Sequence, residues 1–312
     1  MSPEPTLPFA DGPGSIGDLV DPVLVDPSPA LLRAVIEAYR EAAPELTDPA
    51  LSTLRDATPV STVESPPSPT EDASNSPRLT ILASGGVVDV VAEKFRLATR
   101  LAALTEAGVC DLLTLREPQP NAALVGRETG SVLVENERRA DGDSGAGQTG
   151  TWCRVGADPT LRERYASLIE AAEERRLRAP SRRRLYEAVR DHCGDAVAAD
   201  VVRAIDAEVE NSPDDPLDMA GARLRAYVAG VHLGALDRDL RRAFEDAGLG
   251  SPATFTRIKR RLRSVGVLDA EPVSQPVGRP RDRLVARGAL AEADGPAAAV
   301  AAAAAALEAG EC

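Results

Sequence analysis

"SPATFTRIKRRLRSVG" (residues 251–266) places five basic side chains, Arg257, Lys259, Arg260, Arg261 and Arg263, in a stretch without an acid, inside a 312-residue chain of formal charge -13. Helical spacing sorts the stretch into two faces. Phe255, Ile258, Leu262 and Val265 fall on one apolar stripe. Ala253, Thr254, Thr256, Arg257, Arg260 and Arg261 project away from it. Ser251 reads as the N-cap, Pro252 as the first helical residue and Gly266 as the stop. Small and hydroxylated residues in the first turn, followed by arginines, suit a helix that approaches the major groove. Small side chains allow close approach, arginine bonds guanine edges in a bidentate manner, and flanking cations such as Lys259 meet phosphates.

The flanking sequence extends this reading. Upstream, residues 217–233 offer Leu224, Tyr227, Val228 and Val231 at helical spacing, and a second helix from Asp237 offers Leu240, Ala243, Phe244 and Ala247. "AGLGS" (247–251) is a tight turn with two glycines. Downstream, "VLDAEPV" (267–273) and "DRLVA" (282–286) read as strands around the Gly/Pro loop "SQPVGRPR" (274–281). The order predicts a winged helix-turn-helix over 217–287, with a recognition helix at about 252–265 and a wing at about 274–281 on the backbone or minor groove. The predicted DNA-facing set is Ser251, Ala253, Thr254, Thr256, Arg257, Lys259, Arg260, Arg261, Arg279 and Arg281. Residues 252–287 hold nine basic and three acidic side chains, a net of +6, so the rest of the chain carries -19. Such segregation marks an electrostatic footprint more sharply than total charge does. The bland alternative is a solvated basic face, and winged helices also serve as protein–protein modules.

Residues 21–150 predict an α/β regulatory domain with a partly parallel sheet. "PVLVDPSP" (22–29) is a strand ended by prolines, and Ser28 caps a helix that places Leu31, Leu32, Val35, Ile36 and Tyr39 on one face. "RLTILAS" (78–84), Gly85-Gly86 and a helix to about Thr105 repeat the pattern, and strands follow at 111–115, 121–126 and 131–136, the last two as a hairpin through "RETG". Residues 1–20 are expected to be disordered, 44–77 to be a mobile Pro/Ser-rich insertion, 137–150 a loop, 151–216 a helical connector, and 288–312 an alanine-rich tail without a second face to bury. Ser84, Gly85 and Gly86, between a strand and a helix N-terminus, are weak candidates to hold a small anionic effector. They form neither a P-loop nor a dinucleotide fingerprint, and Gly-Gly is common in turns.

Composition excludes several classes. Cys110, Cys153, Cys193 and Cys312 are scattered and form no CxxC, and His192 and His232 lie in helical stretches away from any ligand cluster, so neither a metal site nor a disulfide framework is expected. No nucleophile–base pair is placed by the sequence, so no enzyme, catalytic residue or cofactor is expected. The opening "MSPEPTLPFADGPG" lacks a basic or apolar targeting region, and no membrane span is seen, so the expected location is cytoplasmic. Of the 36 basic residues only Lys94 and Lys259 are lysines, and acids number 49. An acidic, lysine-poor chain fits salt adaptation, because charge is screened over only about 3 Å in molar salt; a GC-rich genome also favours arginine.

"GLGSPATFTRIKRRLRSVGVLDAEPVSQPVGRPRDRL" (248–284) resembles the C-terminal winged helix of the haloarchaeal TbsP-type transcriptional regulators, in which an Ala-Thr-Phe recognition helix leads into a Val-Gly-Arg-Pro-Arg wing. "VLVDPSPALLRAVIEA" (23–38) and "LTILASGGVVDVVAEKFRLATRLAAL" (79–104) resemble that family's first two strand–helix pairs. The resemblance covers most of residues 20–287, and the insertion, the 137–150 loop and the alanine tail depart from it. It implies a sequence-specific regulator that binds double-stranded promoter DNA as a homodimer, with the N-terminal domain serving dimerisation or effector sensing. The competing expectations are an interaction module of the basal transcription machinery and a small-molecule-binding α/β protein.

Overall fold

The computed structural model describes residues 5–9, 12–56, 78–135, 150–157, 160–207, 217–274 and 280–310. Strands β1 (Thr6–Phe9) and β2 (Gly12–Ser15) pair antiparallel. Leu7 and Ile16 are buried, so part of the 1–20 segment expected to be disordered is folded around apolar anchors. Next come β3 (Val23–Val25), α1 (Pro29–Ala42), α2 (Pro44–Thr47) and α3 (Leu51–Asp56). The last two lie in the region expected to be a mobile insertion. Leu54 explains the difference, being 1% exposed in a core; residues 57–77 lie outside the described residues. The chain continues with β4 (Leu79–Ser84), α4 (Gly85–Glu93), α5 (Phe95–Glu106), β5 (Cys110–Leu115), β6 (Ala123–Val125), β7 (Thr129–Glu135), β8 (Gly150–Ala157), α6 (Leu161–Ala171) and β9 (Glu173–Glu174). Of the loop expected at 137–150, residues 137–149 lie outside the described residues. Then follow α7 (Arg182–Cys193), α8 (Asp195–Asp206), α9 (Met219–His232), α10 (Asp237–Ala247), α11 (Pro252–Ser264), β10 (Leu268–Val273), β11 (Arg281–Ala286) and α12 (Pro296–Ala309).

The chain divides into two units, one of Met1–Asp48, Thr62–Glu93 and Arg100–Leu177, the other of Pro49–Ser61, Lys94–Thr99 and Arg178–Cys312. In the first, the described strands form a sheet of order β8-β7-β6-β3-β4-β5-β9. β3, β4 and β5 run parallel and the remaining pairs antiparallel. The expected partly parallel sheet is present. Its central strands are short Val/Ile/Leu runs because both faces are covered. Val23, Val25, Leu82, Ala123 and Val125 form one face, packed against Tyr165, Leu168 and Ile169 of α6. Their alternates Leu24, Ile81, Leu112 and Leu124 are buried on the other. Ser28 Oγ accepts from the Leu31 amide at 3.2 Å, so the α1 cap forms as its sequence dictates. Arg100 of α5 donates to Glu37 at 2.7 Å and to Asp48 at 2.8 Å, a partly buried cation satisfied from two sides.

The second unit is helical, with one antiparallel hairpin of β10 and β11. Its core joins Leu185, Tyr186 and Val189 of α7, Val197, Val201 and Val202 of α8, and Tyr227, Phe244, Phe255 and Leu262 of the next three helices. Phe255 stacks over Tyr227 with centroids 6.0 Å apart and tilts against Phe244 at 4.7 Å. The buried Leu240 side chain of α10 sits so close to Gly230 of α9 that a Cβ there would lie 2.3 Å from Leu240 Cδ2, so a larger residue requires Leu240 to shift. The segment expected as a helical connector at 151–216 is divided: β8, α6 and β9 build the first unit, whereas α7 and α8 supply core to the second. The alanine-rich tail also differs from expectation. Ala299, Val300, Ala303 and Leu307 of α12 are buried, and the helix packs against α8 and α9. Alanine on every side conceals which face is inward, so periodicity carries no signal there.

Candidate nucleic-acid interface

Helices α9, α10 and α11 and the β10–β11 hairpin follow one another without long connections. Gly248 takes φ 86° and ends α10, turning the chain sharply towards α11. Ser251 Oγ accepts from the Thr254 amide at 3.4 Å and lies 3.1 Å from Thr254 Oγ1, so cap and first-turn hydroxyl are linked. Between α9 and α10, Leu236 pairs with Arg283, and the Leu284 amide donates to the Ala235 carbonyl at 3.0 Å. The hairpin is therefore attached to the three helices through backbone as well as side chains.

Within α11 the apolar stripe is inward: Phe255 and Leu262 are fully buried, and Ile258 and Val265 pack against the same core. On the other side, Ser251, Ala253, Arg257, Arg260 and Arg261 are exposed and Thr254 is half-buried. Arg257 and Arg260 pair with no acid among the described residues. The remaining basic positions are placed differently from a uniform cationic face. Lys259 Nζ donates to Asp237 at 2.9 Å and to Asp282 at 3.2 Å. Arg263 lies 3.4 Å from Asp269. Arg281 NH1 donates to both carboxylate oxygens of Asp239, at 3.1 and 2.9 Å. Thr256 Oγ1 donates to the Pro252 carbonyl at 2.9 Å and accepts from Arg241 at 3.2 Å. Arg279 lies outside the described residues.

Two further candidate residues escape a one-dimensional reading. Asp237 is 3% exposed and accepts from the Tyr227 hydroxyl at 2.7 Å, from Lys259, and from Arg241 at 3.1 Å. Burial drives the Tyr227 hydroxyl pKa upward, and the Asp237 charge drives it further, so the phenol stays a donor. Arg223 of α9 donates through Nε to the Leu249 carbonyl at 2.7 Å, under the turn before α11. Burial lowers its pKa; Asp218 opposes this and the charge of Arg257 adds to it, which places a second guanidinium near Arg257. A helical wheel of α9 assigns Arg223 no special role, because the turn it supports lies 26 residues on.

In the first unit, Ser84 Oγ accepts from the Val87 amide at 3.4 Å, so it caps α4. Arg175 Nη1 lies 3.9 Å from where a Cβ on Gly85 would stand, a Cβ on Gly86 would meet none of the described residues beyond its own turn within 4 Å, and Arg175 pairs with Asp89. Burial pushes the Cys110 and Cys193 thiols up to about 12, so neither is a nucleophile at neutral pH. Among the described residues no group of three or more His, Cys, Asp or Glu is placed to hold a metal, and no helix is long and apolar enough to cross a membrane.

Residues 181–304 match the transcriptional regulator TbsP-like, C-terminal HTH domain. The match covers less than half of the chain. It supports transcription regulation and DNA binding through a helix-turn-helix domain. Comparison with curated proteins and with solved structures returned no match. The TbsP-like match begins at Ser181, whose hydroxyl caps α7 by accepting from the Arg184 amide at 3.1 Å, and ends inside α12. The region similar to the TbsP-like domain thus includes α7, α8 and most of α12, the helices that share its core, and starts well before the boundary expected at 217.

Proposed function

We propose that the chain is a sequence-specific, double-stranded-DNA-binding transcription regulator whose α9–α11 and β10–β11 act as a winged helix-turn-helix. The observation that carries this reading is the outer face of α11. Within a region similar to the TbsP-like HTH domain, Arg257 and Arg260 are exposed and unpaired with acids, beside the small first-turn residues Ala253 and Thr254. α11 enters the major groove, Arg257 and Arg260 read base edges or bind phosphates, and the hairpin lies along the backbone or minor groove. Arg261 extends the cationic rim, Ser251 orders the first turn, and Arg223 joins Arg257 at the turn; Arg279 of the wing sequence contacts phosphate or the minor groove. Thr256, Lys259 and Arg281 act through neighbouring residues that position this surface.

Net charge supports the division of labour. A remainder of net charge -19 disfavours phosphate in general, so DNA is directed to the basic segment. The protein works as a homodimer on two half-sites about one helical turn apart, in the cytoplasm of a salt-adapted haloarchaeon. The α/β unit serves dimerisation or the sensing of a small anionic effector at Ser84, Gly85 and Gly86. The chain acts without enzymatic chemistry.

The test is selection of bound sequences from a random duplex pool, followed by gel shifts with the selected site. An enriched motif, bound by wild type and lost with Arg257→Ala and Arg260→Ala, supports the reading. Failure to enrich any motif, or binding that ignores both substitutions, overturns it.

A further inference from the structure

Lys259 is one of two lysines in a chain whose other 34 basic residues are arginine. It also stands where three elements meet. Its ammonium, on α11, donates to Asp237 in the first turn of α10 and to Asp282 on β11. The side chains of Lys259, Asp237 and Asp282 are 14%, 5% and 53% exposed. The chemistry accounts for the residue type. A compact ammonium directs three donors around one atom and meets two carboxylates arriving from different elements. A guanidinium holds its donors in one plane at fixed spacing, so the same two oxygens are poorly served by arginine. Arg281, next to Asp282 on β11, also ties this strand to α10, one of its guanidinium nitrogens donating to both carboxylate oxygens of Asp239.

We infer that Lys259 is a positioning residue for DNA binding, and that Asp282 promotes DNA binding in spite of its negative charge, because the Lys259–Asp282 contact holds the β10–β11 hairpin in register with α11. This rests on the DNA-binding reading above. Bringing α11 and a neighbouring hairpin to one duplex requires a fixed spacing between them, and a loose hairpin must be ordered at the moment of binding, which lowers affinity.

The competing role for Lys259 is a phosphate contact, and charge separates the two. Asp282→Asn removes a negative charge beside the basic surface and releases one bond of the ammonium. A phosphate-binding Lys259 then gives tighter binding; a positioning Lys259 gives weaker binding, by about fivefold for loss of one partly exposed pair. Asp282→Glu, which keeps the pair, restores wild-type affinity. Lys259→Arg keeps the charge and still weakens binding. If Lys259→Arg proves poorly folded, the exposed Asp282 variants decide the matter.

The experiment measures affinity of the full chain for its selected site by fluorescence anisotropy, with amide exchange at Leu284 followed in parallel. Weaker binding and faster Leu284 exchange in Asp282→Asn, both reversed in Asp282→Glu, are the expected results. Unchanged or tighter binding by Asp282→Asn overturns the positioning role while leaving the DNA-binding reading intact. Wild-type protein that binds no selected site overturns both.

Discussion

Arg257 and Lys259 stand two residues apart on α11 and meet opposite environments. Arg257 faces solvent without an acidic partner among the described residues, whereas Lys259 is drawn into a network around the buried Asp237. A helix turns by about 100° per residue, so two steps carry a side chain from the open face to the flank that meets α10 and β11. Equal formal charge therefore serves two purposes. On the flank it is neutralised and holds elements together; on the outer face it remains available to an external anion.

The sharpest way to break this comparison is at its buried end. Asp237→Ala leaves Lys259 and Arg241 without their shared carboxylate and the Tyr227 hydroxyl without its acceptor. It should destabilise the helical unit by about 3–5 kcal/mol, as loss of one partner of a buried pair does, measured as a lower urea midpoint. A loss below about 1 kcal/mol would place the network at the surface in energetic terms. Next comes Leu307→Ala in α12, which should cost about 2–5 kcal/mol if the alanine-rich helix belongs to the core; a merely appended helix would show almost none.

On the outer face the effect moves from stability to binding. Arg257→Ala or Arg260→Ala should weaken DNA binding by about 1–3 kcal/mol, with a melting temperature close to wild type. If the residue meets phosphate rather than a base, the loss is uniform across sequences and the salt slope falls by about one. The smallest effect belongs to the residue that serves both sides. Ser251→Ala removes the α11 cap and should cost about 1 kcal/mol of stability, while Ser251→Gly costs only a few tenths.

Much of this arrangement is legible in one dimension because it is local. Ser28, Ser181 and Ser251 cap their helices as their spacing to the following amides requires. The hairpin of β6 and β7 forms across Arg127 and Glu128, and the apolar stripe of α11 predicts its inward face. What escapes is whatever depends on partners far along the chain. Lys259 reads as one more cation of a basic helix until Asp282, 23 residues on, is brought to it. Asp237 looks like an ordinary helix-start acid until Tyr227 and Lys259 are brought to it. α12 lacks an amphipathic pattern because alanine fills both its faces, and Val300 and Leu307 alone mark the inward one. Leu7, Ile16 and Leu54 lie in short segments broken by Pro, Gly and Asp, too brief for periodicity to announce the cores they join.

By itself, the sequence determined most of the amphipathic helices, several of their caps, the partly parallel sheet and the concentration of positive charge on one helix, since each follows from short-range stereochemistry and side-chain periodicity. Only the tertiary structure decided which of those charges are free. Pairing is a matter of distance between elements, and the same Lys or Arg is an open cation or a satisfied one according to the carboxylate that folding brings within about 3 Å.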